Sequence, residues 1–300
     1  MRRKALAAEP ERMQMGKLHK RLRIMRRAMH KELREHRSTF LVFMTLRFLV
    51  VVVMVLQALN GNYENVFLCA FTLILMLMPS LVQLEFRVEL PKTLEIIILL
   101  FIFSAEILGE IGEFYLKVPN WDTMMHTLNG FLAAAVGFSM VDLLNRSKKY
   151  SFNLSPLFLA LVAFCFSMTI GVLWEFFEFA MDQFFGMDMQ KDTVLHRINS
   201  VMLNPDGRNV PILIEGITDT AVNGKDLGIS GYLDIGLMDT MKDLIVNFIG
   251  AVVFSVFGYF YVKGRGKKSI VDSFVPRRKE KSADFLTQEE EAAKADGRKA

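Results

Sequence analysis

Six apolar segments, at residues 39–59, 63–83, 93–115, 123–144, 157–183 and 242–262, constrain this 300-residue chain more than any other feature. Each comes close to or exceeds the roughly 20 apolar residues that a helix needs to cross a hydrocarbon layer. In lipid the main-chain polar groups must be satisfied within the segment, so runs of this length predict an all-α polytopic membrane protein of about six transmembrane helices. Charged residues still make up 23% of the chain against 52% hydrophobic. That charge must lie outside the spans or in an interior they share. The balance excludes soluble, nucleic-acid-binding and secreted disulfide-framework classes. Both cysteines, Cys69 and Cys165, sit inside apolar runs.

The flanks set the topology. Residues 1–38 carry thirteen Lys/Arg against four Glu, and Met15, Leu18, Leu22, Met25, Met29 and Leu33 recur at steps of three or four. This predicts a basic amphipathic cytoplasmic arm, suited to anionic lipid headgroups or simply to fixing the topology, and no signal peptide. Arg87 and Lys92 lie between the second and third spans, Arg146, Lys148 and Lys149 between the fourth and fifth, and Lys263, Arg265, Lys267 and Lys268 after the sixth. Threading the spans with these loops inside places both termini in the cytoplasm. The membrane domain is then 39–262, with a polar tail at 263–300 expected to be largely disordered or weakly helical. An extracytoplasmic insertion at 184–241 carries the turn signal Asn204-Pro-Asp-Gly207 and, in 210–222 followed by Asn223-Gly224, the composition of a β-hairpin or small sheet. Arg47 stands alone as a cation inside the first span, and the sequence names no partner for it.

Ionisable residues inside the spans are spaced as helix faces. Glu106, Glu110 and Glu113 fall at i, i+4, i+7; Asp122, His126 and Asn129 at i, i+4, i+7; Glu175, Glu178 and Asp182 at i, i+3, i+7; and Asp239, Asp243 and Asn247 at i, i+4, i+8. Acids facing lipid are so costly that they turn toward a bundle interior or wet cavity. The threading above puts all four stripes in the outer half of the bilayer. They predict one outward-facing polar site.

Three kinds of chemistry suit it. Carboxylates with one imidazole are ligands for a divalent metal ion, with Glu110, Asp122, His126, Glu175 and Asp243 as candidates; carboxylates alone suit Mg or Ca. Asp122 can also orient His126 from behind. Neighbouring carboxylates can share protons, which would serve acid/base work by Asp122, His126, Glu175 and Glu178 or a proton-coupled carrier of a small solute or cation. The third reading is a structural polar core in an envelope or assembly protein, with Glu106, Glu113, Asn129, Asp182, Asp239 and Asn247 supporting helix packing. Lys242 beside Asp243 would then act as a neutralising charge. No phosphate-binding loop or nucleophile elbow is present.

Four ordered motifs, Glu110-Ile-Gly-Glu113-Phe-Tyr, Val118-Pro-Asn-Trp121-Asp122-x3-His126-x2-Asn129-Gly130, Gly171-Val-Leu-Trp174-Glu175-Phe-Phe-Glu178 and Asp239-x3-Asp243-x3-Asn247-x2-Gly250, resemble the uncharacterised bacterial multi-pass membrane family typified by YjdF over about residues 40–262. More distantly, Asp122, His126, Glu175, Asp243 and Asn247 resemble the pattern of VanZ-like proteins, linked to teicoplanin resistance. Glu178 and the insertion before Asp239 depart from that pattern. The first resemblance implies a bacterial cytoplasmic membrane protein; the second implies an outward-facing site concerned with the cell envelope.

Overall fold

A computed structural model of the chain describes residues 21–32, 37–145, 154–264, 269–280 and 283–296. Met15, Leu18, Leu33 and the basic positions 146–149 and 265–268 lie outside these. The protein is an all-α polytopic membrane protein with small strand pieces. Among the described residues, five helical stretches are long and apolar enough to cross a membrane: Thr39–Leu59, Tyr63–Glu85, Trp121–Asn145, Pro156–Phe185 and Leu237–Lys263. At 1.5 Å per residue, their 21 to 30 residues reach about 32–45 Å, against a hydrocarbon core of about 30 Å.

The third expected crossing, 93–115, is not one continuous α-helix. Helix α5, Lys92–Phe103, runs into a π-helical segment, Ser104–Ile111, that stops at Gly112 and a left-handed Glu113 with φ 58°. The stripe of three acids expected there is cut short: Glu106 and Glu110 stay on the helix, while Glu113 leaves it and pairs at 2.6 Å with Lys117, the last residue of the short helix α6, Phe114–Lys117. Pi-bulges of this kind occur frequently at functional sites.

The chain divides into two compact units, Met1–Trp121 with Phe138–Leu159 and Phe257–Ala300, and Asp122–Gly137 with Ala160–Val256. In the first unit, α2 (Arg37–Leu59), α3 (Tyr63–Leu75) and α5 close over Phe43, Leu46, Val50, Cys69, Met76 and Leu99. Arg47 finds its partner here. The chain tightens between α3 and α4 (Met78–Glu85), where Leu77 N–H donates to Ile74 O instead of to Leu73 O. The freed Leu73 carbonyl accepts from the Arg47 guanidinium at 2.8 Å, and Phe43 lies 5.2 Å beneath that cation. A break in one helix thus satisfies a charge on its neighbour.

The same unit holds the flanks. Residues 21–32 form helix α1, as the basic arm predicted for that stretch. The tail, expected to be largely disordered or weakly helical, contains a helix, Phe285–Asp296, capped by Asp284, whose side chain accepts from Thr287 N–H at 3.0 Å. Lys31 meets Glu289 at 2.7 Å, Arg27 approaches the same acid at 4.0 Å, and Lys279 pairs with Glu32. Strand β1 (Val88–Glu89) pairs antiparallel with a strand at Arg277–Arg278. The tail helix draws support from this pairing with the arm.

The second unit contains parts of α7 (Trp121–Asn145), α8 (Pro156–Phe185) and α9 (Leu237–Lys263), with the insertion between the last two. A Cβ on Gly130 would lie 2.1 Å from Asn247 O, and one on Gly250 would lie 2.1 Å from Thr127 O. Glycine at both positions lets α7 and α9 touch backbone to backbone, as small residues do between membrane helices. In the insertion, Asn223 and Gly224 have φ 53° and 78° and turn a short hairpin, Ala221–Val222 with Lys225–Asp226, as that dipeptide predicts. The longer ribbon pairs Ile212–Glu215 backward with Arg197–Ser200, across the Asn204–Gly207 turn.

Candidate functional site

Asp122 opens α7 and His126 follows one turn later, so the helix alone brings Asp122 Oδ1 within 3.3 Å of His126 Nε2. Helix α9 brings Asp243 Oδ2 to 3.7 Å from the same nitrogen. From α8, Glu175 Oε1 lies 3.9 Å from the other ring nitrogen, Nδ1. Asp122, His126 and Asp243 each offer one donor atom, all within 4.8 Å of one another. Metal bonds of about 2.0–2.2 Å at tetrahedral angles separate donor atoms by roughly 3.3–3.6 Å. The two separations from His126 Nε2, 3.3 and 3.7 Å, are close to that spacing.

The surroundings are short of positive charge. Asp243 is 1% exposed and Glu175 5%, and Asp243 Oδ1 and Glu175 Oε2 are buried without a hydrogen-bond partner. Glu178 is also buried, and accepts from the Trp174 indole N–H at 2.7 Å. Lys242 Nζ is 3.2 Å from Asp122 Oδ2 and 3.9 Å from both Asp239 Oδ1 and Asp243 Oδ1. Five carboxyl groups thus share one ammonium and one imidazole. Leaving buried carboxylate oxygens unpaired costs several kcal/mol per ion, so the site calls for a further cation or for protons.

Below the cluster, polar groups bind the helices together. Asn129 donates to Asn247 Oδ1 at 3.4 Å, Asn247 donates to Ser167 O at 3.5 Å, and Ser167 donates to Gly130 O at 2.7 Å. At the other end of the cluster, Asp182 accepts from Met189 and Gln190 N–H at 2.6 and 2.9 Å, and Asp239 from Lys191 N–H at 2.9 Å. These two acids, expected to support the site, tie down the start of the insertion. Gln190 adds a bond to Thr240 Oγ1 at 2.6 Å.

Of the sequence candidates, Asp122, His126, Glu175, Glu178 and Asp243 are assembled in the second unit. Glu106, Glu110 and Glu113 belong to the first. Three roles escaped the sequence: Trp174 as the donor to Glu178, Ser167 as a floor residue, and the reach of Lys242 to Asp122 and Asp239. Trp174 and Glu178 do stand at i, i+4, the one signal that pointed to their contact.

The family described as "Predicted membrane protein (DUF2238)" matches residues 40–264, and the chain belongs to it. No curated protein and no solved structure matches the chain.

Proposed function

We propose that this member of that membrane protein family binds a divalent cation through Asp122, His126 Nε2 and Asp243, with Glu175 steering the imidazole through Nδ1. The observation that carries the reading is the pair of buried, unpartnered carboxylate oxygens on Asp243 and Glu175 beside the donor trio. An imidazole with two carboxylates suits Mn, Fe or Zn, and a carboxylate behind a ligating imidazole is the common supporting arrangement. Three protein donors leave coordination positions open for a polar headgroup, including a lipid-linked one. Loop charges support a cytoplasmic-membrane location with both termini inside and the site facing outward, which accords with the distant likeness to VanZ-like proteins. On the inner side, the exposed Arg23 and Arg26 of the arm suit anionic lipid headgroups.

Ligand linkage tests the reading. A cation at a hundred times its Kd stabilises the folded protein by about 2.7 kcal/mol. Mn2+ should therefore raise the Tm of the detergent-solubilised wild type and leave that of Asp243→Asn unmoved. Equal rises in both proteins would count against the trio. The structural-core reading is favoured for Asn129, Asn247 and Ser167, whose hydrogen bonds run between helices.

A further inference from the structure

We propose that Lys242 sets which divalent cation the site accepts, by occupying the outer oxygen of the Asp122 carboxylate and facing that of Asp243 without bonding it; this rests on the metal reading above. Each ligand carboxylate has two faces. Asp122 turns Oδ1 to His126 at 3.3 Å and Oδ2 to Lys242 at 3.2 Å. Asp243 turns Oδ2 to His126 at 3.7 Å and Oδ1 to Lys242 at 3.9 Å. The ammonium thus lies on the far side of both carboxylates from the imidazole. A third acid, Asp239, holds it there at 3.9 Å, and Asp239 is itself pinned by Lys191 N–H. Its hydrogen bond goes to Asp122 Oδ2, while Asp239 and Asp243 hold it by charge from 3.9 Å.

The Asp122 carboxylate, its outer oxygen held in this way, offers a metal one oxygen. That suits ions of four to six ligands with bonds near 2.0–2.2 Å, such as Mn2+ or Zn2+. Calcium takes six to eight oxygens at about 2.3–2.6 Å and draws on bidentate carboxylates to reach that number. Lys242 therefore admits the smaller ions and disfavours calcium. Removing its charge alone would strengthen binding of every cation. Freeing the outer oxygen of Asp122 would strengthen calcium more.

The test is titration of the full-length, detergent-solubilised protein with Mn2+ and, separately, Ca2+, in wild type, Lys242→Met and Lys242→Arg. Lys242→Met should improve Ca2+ affinity relative to Mn2+ by roughly tenfold, a modest difference between two binding free energies. Lys242→Arg, which keeps a cation on that outer oxygen, should retain the wild-type ratio. If Lys242→Met does not elute as a single species, Lys242→Gln takes its place with the same expectation. An unchanged Mn2+/Ca2+ ratio, including equal strengthening of both ions, overturns the proposal while leaving the metal reading intact. Absence of Mn2+ binding in wild type and variants alike overturns both.

Discussion

Gly250→Ala probes the packing that holds the site in place. The added Cβ would lie 2.1 Å from Thr127 O and 2.8 Å from Phe131 N, both main-chain atoms of α7. Ordinary contact begins well above 3 Å, so the α7 and α9 backbones must part by roughly 1 Å. Overpacking typically costs about 1–3 kcal/mol, and a clash with main chain belongs at the upper end. At roughly 2–4 °C per kcal/mol for a domain of 150–250 residues, Tm should fall by about 6–12 °C. Asp243 lies two turns away on the same helix. Displacing α9 would widen its 3.7 Å approach to His126, so Mn2+ affinity should fall with Tm. The assay is thermal unfolding in detergent with and without Mn2+. Gly258→Ala is the comparison, because the nearest atoms its Cβ would meet belong to the Phe138 ring, at 3.0 Å, and not to main chain. Wild-type Tm and affinity in Gly250→Ala would refute the close approach of the two helices and the dependence of the site on it.

Other perturbations test single contacts. Trp174→Phe strips the buried Glu178 of its 2.7 Å donor and should cost about 1–3 kcal/mol in Tm measurements, with Glu178→Gln recovering part of the loss; no change would show the bond to be dispensable. Asp182→Ala removes the acceptor of Met189 and Gln190 N–H, so hydrogen exchange should quicken at those amides and not in the α8 interior, whereas uniform protection would contradict the pinning role. The Ser269 N–H, with the Tyr261 hydroxyl and Arg277, holds the Asp272 carboxyl below the usual carboxylate range. A lowered folded value stabilises above the unfolded value and is lost as pH falls through the folded one. The Tm gap between wild type and Asp272→Asn should therefore be full near neutrality and shrink below about pH 4; a gap independent of pH would refute that linkage.

Sequence spacing made half of the site readable, because Asp122 and His126 meet through helix geometry alone. Asp243 and Glu175 carried the cost of a buried acid as their signal, and that cost is what pointed them inward. Side chains that bond to main chain were harder to read. Asp182 and Asp239 look like stripe members until the path of residues 187–191 is known, and Arg47 depends on a carbonyl freed by a tightened turn. Glu113 left its stripe because the helix beneath it changes pitch and ends. In the insertion, Asn223-Gly224 announced its turn through local chemistry. The pairing of Ile212–Glu215 with Arg197–Ser200 is a choice between partners that local composition does not encode.

The central claim is that Asp122, His126 and Asp243 hold a metal ion. Elemental analysis of detergent-purified protein, wild type beside the folded double variant Asp122→Ala/His126→Ala, tests it most directly. About one divalent ion per wild-type chain and none in the variant is the expected result, since both lost groups are ligands. A wild type without metal after metal-replete purification, or a variant that keeps the full complement, would contradict it.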